Sequence, residues 1–253
     1  SYNFVNDTTD PSTTSTDGDH GTSVAGIIGA SGWNNLGGRG VAPEVELKGF
    51  NLLKDGTTAN AISSLGGSSY SNNVDIFNLS YGYETTASFL IDSGIYNQFV
   101  DGVTNLRSGR GANYVASIGN GFLSFGDASC SDANTYGLSC NNPSMDPEHS
   151  LPYLILVGAL DANGLKASYS TAGSAIWISA PGGESGLDQN IVGTGYGSYT
   201  PGIMTTDQSS CDKGYVRSNL SSYENAFENK GNFSLNSSCN YTSTFKGSSA
   251  AAP

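Results

Sequence analysis

The feature that most constrains this chain is an alternation of apolar strands and helix-spaced segments. Val74-Asp75-Ile76-Phe77-Asn78-Leu79-Ser80 reads as a buried strand. Phe89, Leu90, Ile91, Ile95, Phe99, Val100, Val103 and Leu106 then recur at helical spacing, and Asn113–Ile118 and Leu154–Leu160 follow as further strands. Val45–Leu53 reads as an earlier strand and Ala59–Leu65 as a helix, with short strands at Ile176–Ala180 and Ile203–Thr206. Strands separated by helices pair in parallel and are covered on both faces. The expected fold is therefore α/β, a three-layer arrangement with a central parallel sheet flanked by helices. No repeat or linker marks a second domain, so residues 1–253 are read as one domain.

In open parallel sheets, sites lie at the carboxyl ends of strands. Ser80-Tyr81-Gly82 and Gly119-Asn120-Gly121 both fall there. A third stretch, Gly247-Ser248-Ser249-Ala250-Ala251-Ala252-Pro253, suits a tight turn opening a helix. A serine at such a turn sits where unpaired N–H groups and the helix dipole favour negative charge. A fourth, Asp19-His20-Gly21-Thr22-Ser23-Val24-Ala25-Gly26, places His20 at the start of a short helix lined with small residues. A helix N-terminus favours the neutral imidazole that a general base needs. The chain has only two histidines, and His149 lies in a Pro-rich polar loop with no comparable context. Each residue has a bland reading: His20 as a core histidine, Asn120 as a turn residue, Ser249 as a helix cap. Together they are a base, an amide donor and a nucleophile, the parts of acyl transfer.

The formal net charge of −12 argues against nucleic acid and anionic membranes as partners. No run is long and apolar enough to span a bilayer. The four cysteines admit three pairings and include no C-x-x-C pair. Cys130 and Cys140 flank one polar loop, and Cys211 and Cys239 flank another. The expectation is these two disulfides in an oxidising compartment, against the alternative of four reduced thiols. The acidic residues among 1–19 and the loop Trp33-Asn34-Asn35-Leu36-Gly37-Gly38-Arg39-Gly40 offer oxygens to a hard cation such as calcium, or are plain loops.

His-Gly-Thr-Ser-Val-Ala-Gly at 20–26, Ala-Ser-Ile-Gly-Asn-Gly at 116–121 and Gly-Ser-Ser-Ala-Ala-Ala-Pro at 247–253 resemble the histidine, oxyanion-asparagine and serine motifs of subtilisin-like serine proteases, peptidase family S8. Gly40-Val41-Ala42-Pro43 and Asn78-Leu79-Ser80-Tyr81-Gly82 match as well. Asn6-Asp7 and Asn120-Gly121 resemble the kexin-like branch, most of all bacterial, Aeromonas-type kexin-like proteases. Tyr169-Ser170, Gly182-Gly183-Glu184 and Cys211-Asp212-Lys213-Gly214-Tyr215 have counterparts there.

The resemblance implies a subtilisin-like fold and a secreted or periplasmic serine endopeptidase. It makes His20 the base, Ser249 the nucleophile and Asn120 the oxyanion donor beside the Ser249 N–H. Substrate would pair with Ser80, Tyr81 and Gly82, and the S1 pocket would be bounded there and by Ala116, Ser117, Ile118 and Gly119. The 31–38 loop would hold structural calcium through the Asn34 side chain and the Ser31, Leu36 and Gly38 carbonyls. Partners would be a protein or peptide substrate and a pro-segment, chaperone or accessory domain.

The chain departs from the family pattern in four ways. The triad aspartate is expected upstream of residue 1, Asp17 and Asp19 being no substitutes. Ser248 replaces the usual threonine but keeps a hydroxyl to support the oxyanion. The acids that read basic side chains in eukaryotic kexin-like enzymes are reduced to Glu84, with Asp127 and Asp132 as further candidates, so a preference for Lys or Arg at P1 stays an open expectation. The serine helix is expected to continue beyond Pro253, so the peptidase domain is read as truncated at both ends. Two other readings are a catalytically inactive binding module on the same fold and an α/β-hydrolase esterase. The esterase wants Gly-x-Ser-x-Gly and the order serine, acid, histidine, which this chain lacks.

Overall fold

The computed structural model describes every residue except 14, 17, 18, 84, 123–129, 187–199, 217–225 and 229–233. Its centre is a parallel sheet of β3 (Ile76–Leu79), β4 (Asn113–Ser117), β5 (Leu154–Leu160) and β6 (Ile178–Pro181), in that order. Ahead of it run β1 (Tyr2–Asn3), α1 (His20–Gly29), β2 (Phe50–Asn51) and α2 (Thr58–Ile62), the last continuing into a wider turn over Ser63–Gly67. Between β3 and β4 lies α3 (Ser93–Gly109), and between β4 and β5 the short α4 (Ser131–Thr135). Beyond the sheet, β7 (Ile203–Thr206) pairs antiparallel with β8 (Tyr241–Phe245), and α5 (Ser248–Ala251) follows.

Strand side chains alternate between the two faces of a sheet, and here the faces differ in bulk. Phe77, Leu79, Tyr114, Ala116, Leu154 and Leu156 point to one side, where Phe99 and Leu106 of α3 and Leu65 complete a buried cluster. Tyr114 stacks on Phe77 at 4.8 Å and meets the edge of Phe99 at 5.0 Å. Its hydroxyl donates to the Leu65 carbonyl at 2.8 Å, so the one polar atom of this core is satisfied. A side-chain carbon at Gly102 would collide with that hydroxyl, which explains a glycine in mid-helix. On the opposite side Val157 and Ala159 meet Ala167, Ala251 and Ala252. Small residues there let α5 lie close over β5. Helix α1 packs beside α5 through Val24, Phe245 and Ala250. It is tied to β7 by Ser23 Oγ donating to the Thr206 carbonyl at 2.9 Å and Thr205 Oγ1 donating to the Ser23 carbonyl at 2.6 Å.

The three-layer α/β expectation holds. Leu154–Leu160 and Ile203–Thr206 are strands with the expected bounds. Two elements differ. Val45–Leu53 is not a continuous strand: only Phe50–Asn51 finds a ladder, with Tyr2–Asn3. Val45 and Leu47 instead press on Gly29 at the end of α1. Phe89, Leu90 and Ile91 precede α3 rather than joining it. Asp92 caps the helix, its carboxylate accepting from the Gly94 N–H at 2.8 Å and the Ile95 N–H at 3.3 Å, and Leu90 is 95% exposed. Both disulfides form as paired, Cys130–Cys140 and Cys211–Cys239, with Cα separations of 5.1 and 5.0 Å.

Candidate active site

Gly247 precedes α5 with φ of 126°, a conformation that needs glycine, and the chain turns there into Ser248 and Ser249. Tyr169 fixes the approach: its hydroxyl accepts the Gly247 N–H at 2.9 Å and lies 2.8 and 2.7 Å from the Gly182 and Gly183 carbonyls. The expected counterparts Tyr169 and Gly182-Gly183 thus brace the serine turn.

Ser249 is buried and faces the end of β3. Its hydroxyl donates to the Ser80 carbonyl at 3.2 Å, while the Ser80 hydroxyl donates to the Ser249 carbonyl at 3.0 Å. Asn78 Nδ2 donates in turn to Ser80 Oγ at 2.9 Å. The nucleophile turn and the strand end therefore grip each other in both directions. Among the described residues this Ser80 bond, rather than one to His20, holds Ser249 Oγ. Contacts between nucleophile and base are commonly loose before substrate binds.

Asn120 is fixed from the same turn. Its Oδ1 accepts the Ser248 N–H at 2.8 Å and the Ser248 hydroxyl at 3.1 Å, and Ser248 Oγ accepts the Gly119 N–H at 3.0 Å. With the acceptor end committed to Ser248, the donor Nδ2 lies on the opposite branch of the carboxamide, an orientation assigned by this network. The Ser248 hydroxyl thus aims the amide, instead of reaching the oxyanion position expected for it.

His20 opens α1 and stands edge-on to Phe245 of β8 at 5.6 Å. Burial lowers the pKa of its imidazole below the usual histidine value, which keeps the ring neutral at neutral pH. Its helix shares with α5 the cluster around Phe245 and Ala250, so one small core positions base and nucleophile.

Beside Ser249 opens a cavity of about 230 Å³ lined by Ser80, Tyr81, Gly82, Tyr83, Ser117, Gly119, Asn120, His149 and Ser249. Ser80, Tyr81, Gly82, Ser117 and Gly119 meet there as expected. Ala116 and Ile118 do not: alternation turns Ala116 to the other face, and both lie in the aromatic cluster, 1% and 2% exposed. Tyr83 and His149 were not anticipated. The neighbourhood of His149 is created by the fold, because Asp146 in its loop accepts the Tyr83 N–H at 3.2 Å and draws residues 143–150 onto the end of β3. Among the candidate acids for P1, Glu84 and Asp127 lie outside the described residues, as does Asp17, and Asp132 is exposed on α4.

The residues offered for calcium, Ser31, Asn34, Leu36 and Gly38, share one largely exposed loop. Asn34 Oδ1 accepts the Leu36 N–H at 3.0 Å, and Trp33, Asn35 and Gly37 all have positive φ, which winds the loop tightly. Among the described residues no cluster of three or more His, Cys, Asp or Glu side chains could hold a metal. An ion here would be held by one carboxamide and main-chain carbonyls, hard oxygen donors of the kind calcium takes.

The subtilase family model matches residues 1–253. The extracellular serine protease of Aeromonas sobria is 36% identical over 263 residues, covering all of this chain and 39% of the relative. A solved structure of the Aeromonas sobria serine protease in complex with a chaperone superposes with a TM-score of 0.83 at 32% identity, covering all of this chain and 41% of that one. Kexin of Saccharomyces cerevisiae is 32% identical over 180 residues, 70% of this chain and 20% of kexin. The chain thus spans about two fifths of the length of the Aeromonas relative.

Proposed function

Because the chain belongs to the subtilase family of peptidases, we propose that the protein carrying it is a secreted serine endopeptidase. The observation that carries this reading is the buried Ser249 at a strained glycine turn, locked to Ser80 on one side and, through Ser248, to Asn120 on the other. His20, kept neutral by burial, takes the Ser249 proton as Oγ attacks the peptide carbonyl. The carbonyl oxygen gains negative charge and is met by Asn120 Nδ2 and the Ser249 N–H. His20 then gives the proton to the leaving amine, and water releases the acyl group by the same steps in reverse order of roles. Substrate main chain docks along Ser80–Gly82, the segment that borders the cavity.

The finer features belong to the same proposal. Asn6-Asp7 and Asn120-Gly121 support a kexin-like branch with Lys or Arg preferred at P1. Two disulfides and an extracellular relative support secretion. The chaperone seen with the Aeromonas protease supports a chaperone as a partner. Calcium at the 31–38 loop is proposed to stabilise the fold. An ion bound only by the folded state must raise Tm, so excess calcium should give a higher Tm than EDTA, and equal values would remove the site.

The decisive test compares wild-type and Ser249→Ala full-length protein, assaying peptide hydrolysis in the culture medium of producing cells. The loss expected is about 10⁶-fold in kcat, the scale on which subtilisin itself suffers when its serine is removed. Undiminished hydrolysis would sink the reading, and activity confined to the cells would remove secretion.

A further inference from the structure

The wall of the cavity beside Ser249 contains a histidine that the acyl-transfer chemistry does not use. His149 is only 6% exposed. Its Nδ1 is buried and makes no hydrogen bond of good geometry, although the Pro143 carbonyl lies near enough to favour a proton on the ring. The opposite edge of the ring faces Gly82: a side-chain carbon there would stand 3.4 Å from Nε2 and 3.6 Å from Cε1. Gly82 and His149 both line the cavity.

Behind them lies Asp146, 1% exposed. Its Oδ2 accepts the Tyr83 N–H at 3.2 Å and its Oδ1 accepts the Glu148 N–H at 2.9 Å. The same carbon built on Gly82 would be 3.8 Å from Asp146 Oδ2, so the carboxylate and the imidazole flank one point of the wall. The volume of about 230 Å³ is below the roughly 300–1,000 Å³ of sites for whole small molecules and suits a single side chain.

A neutral imidazole has one donor and one acceptor nitrogen. With its proton on Nδ1 beside the Pro143 carbonyl, the ring presents the Nε2 lone pair on the Gly82 side. A buried acceptor backed by a carboxylate matches a cationic N–H donor, since bonds to charged donors are the strong ones. It is mismatched to an apolar tip, which would leave the acceptor unpaired. We propose that His149 is the specificity-determining residue of this pocket, its Nε2 accepting a hydrogen bond from the cationic tip of a P1 lysine or arginine while Asp146 and Glu148 supply opposing charge. The assignment rests on the peptidase reading and names the residue that makes its pocket selective.

The groups facing His149 are Asp146 and Glu148 on its own loop and Tyr81 and Tyr83 on the docking segment. Burial, and then the charge of Glu148, push the Tyr81 phenol up, so it stays uncharged. Glu148 is pushed up to about 7 by burial first and Asp146 second. His149 is pulled below the ordinary histidine value, burial outweighing the opposing pull of Asp146. Acidification therefore neutralises Glu148 first and charges His149 later, and both changes disfavour a cation.

The test uses the full-length protein and peptides that differ only at P1, lysine against its uncharged analogue norleucine. The ratio of their kcat/KM values cancels both the amount of folded enzyme and the titration of His20. The ratio should be well above one at about pH 8 and fall towards one by about pH 5.5. His149→Leu should lower it about tenfold or more at pH 8, as expected for a lost bond to a charged group. His149→Gln, with an acceptor oxygen that does not titrate, should keep the lysine preference and lose the lower part of the pH dependence. A wild-type ratio at or below one, or one that His149→Leu leaves unchanged, overturns the assignment. Hydrolysis that survives Ser249→Ala would instead bring down the peptidase reading, whereas Ser249-dependent hydrolysis without lysine preference defeats only this inference.

Discussion

On one face of the sheet, Phe77, Tyr114, Leu154 and Leu156 meet Phe99 and Leu106 of α3; on the other, Val157 and Ala159 meet Ala251 and Ala252 of α5. The first contact is made of bulk and buries most of the large side chains. The second is made of small residues, and what it achieves is proximity: the helix opened by Ser249 can lie directly over β5. The difference teaches that stability and chemistry are placed on opposite sides of the same strands. The aromatic face holds the sheet together, and the alanine face determines where a hydroxyl ends up.

Truncating the aromatic face should therefore cost folding and spare chemistry. Phe99→Ala removes a fully buried ring in contact with Tyr114 and should lower the free energy of unfolding by about 3–5 kcal/mol. Urea titration measures this, and kcat per folded molecule should stay near the wild-type value. A loss under about 1 kcal/mol would mean that the aromatic cluster is not what secures the sheet. Enlarging the alanine face should do the reverse. Ala251→Leu forces bulk between α5 and β5 and should destabilise by about 1–3 kcal/mol. It should also cut kcat about 100-fold, because a displacement near 1 Å at reacting atoms is that costly. If kcat per folded molecule survives Ala251→Leu, the two faces do not divide the work as described.

Much of this plan can be read in the residue order, and the failures have specific causes. The alternation of Leu154–Leu160 and the small residues around Ser249 are local patterns, and the structure reproduces both. Phe89–Ile91 carries helical spacing, but a carboxylate at Asp92 that caps the next residues outcompetes it. Ala116 and Ile118 could have been separated from Ser117 by the two-residue period alone, since only one parity can face α5. His149 could not have been found this way. Nothing near it in the chain signals a pocket, and its position depends on the Asp146 bond to Tyr83, between residues 63 apart.

The paired bonds between Ser80 and Ser249 have a consequence for how errors accumulate. Were the docking edge and the hydroxyl held separately by the rest of the domain, every small shift in sheet, helix or loop would add to the gap between them. Fastened to each other, they share displacements. A bulky peptide that pushes the edge outward carries the attacking oxygen along with it, so the distance that matters is measured over two residues and not across the whole molecule. Variety among substrates is then absorbed by the surroundings while the geometry of attack stays constant.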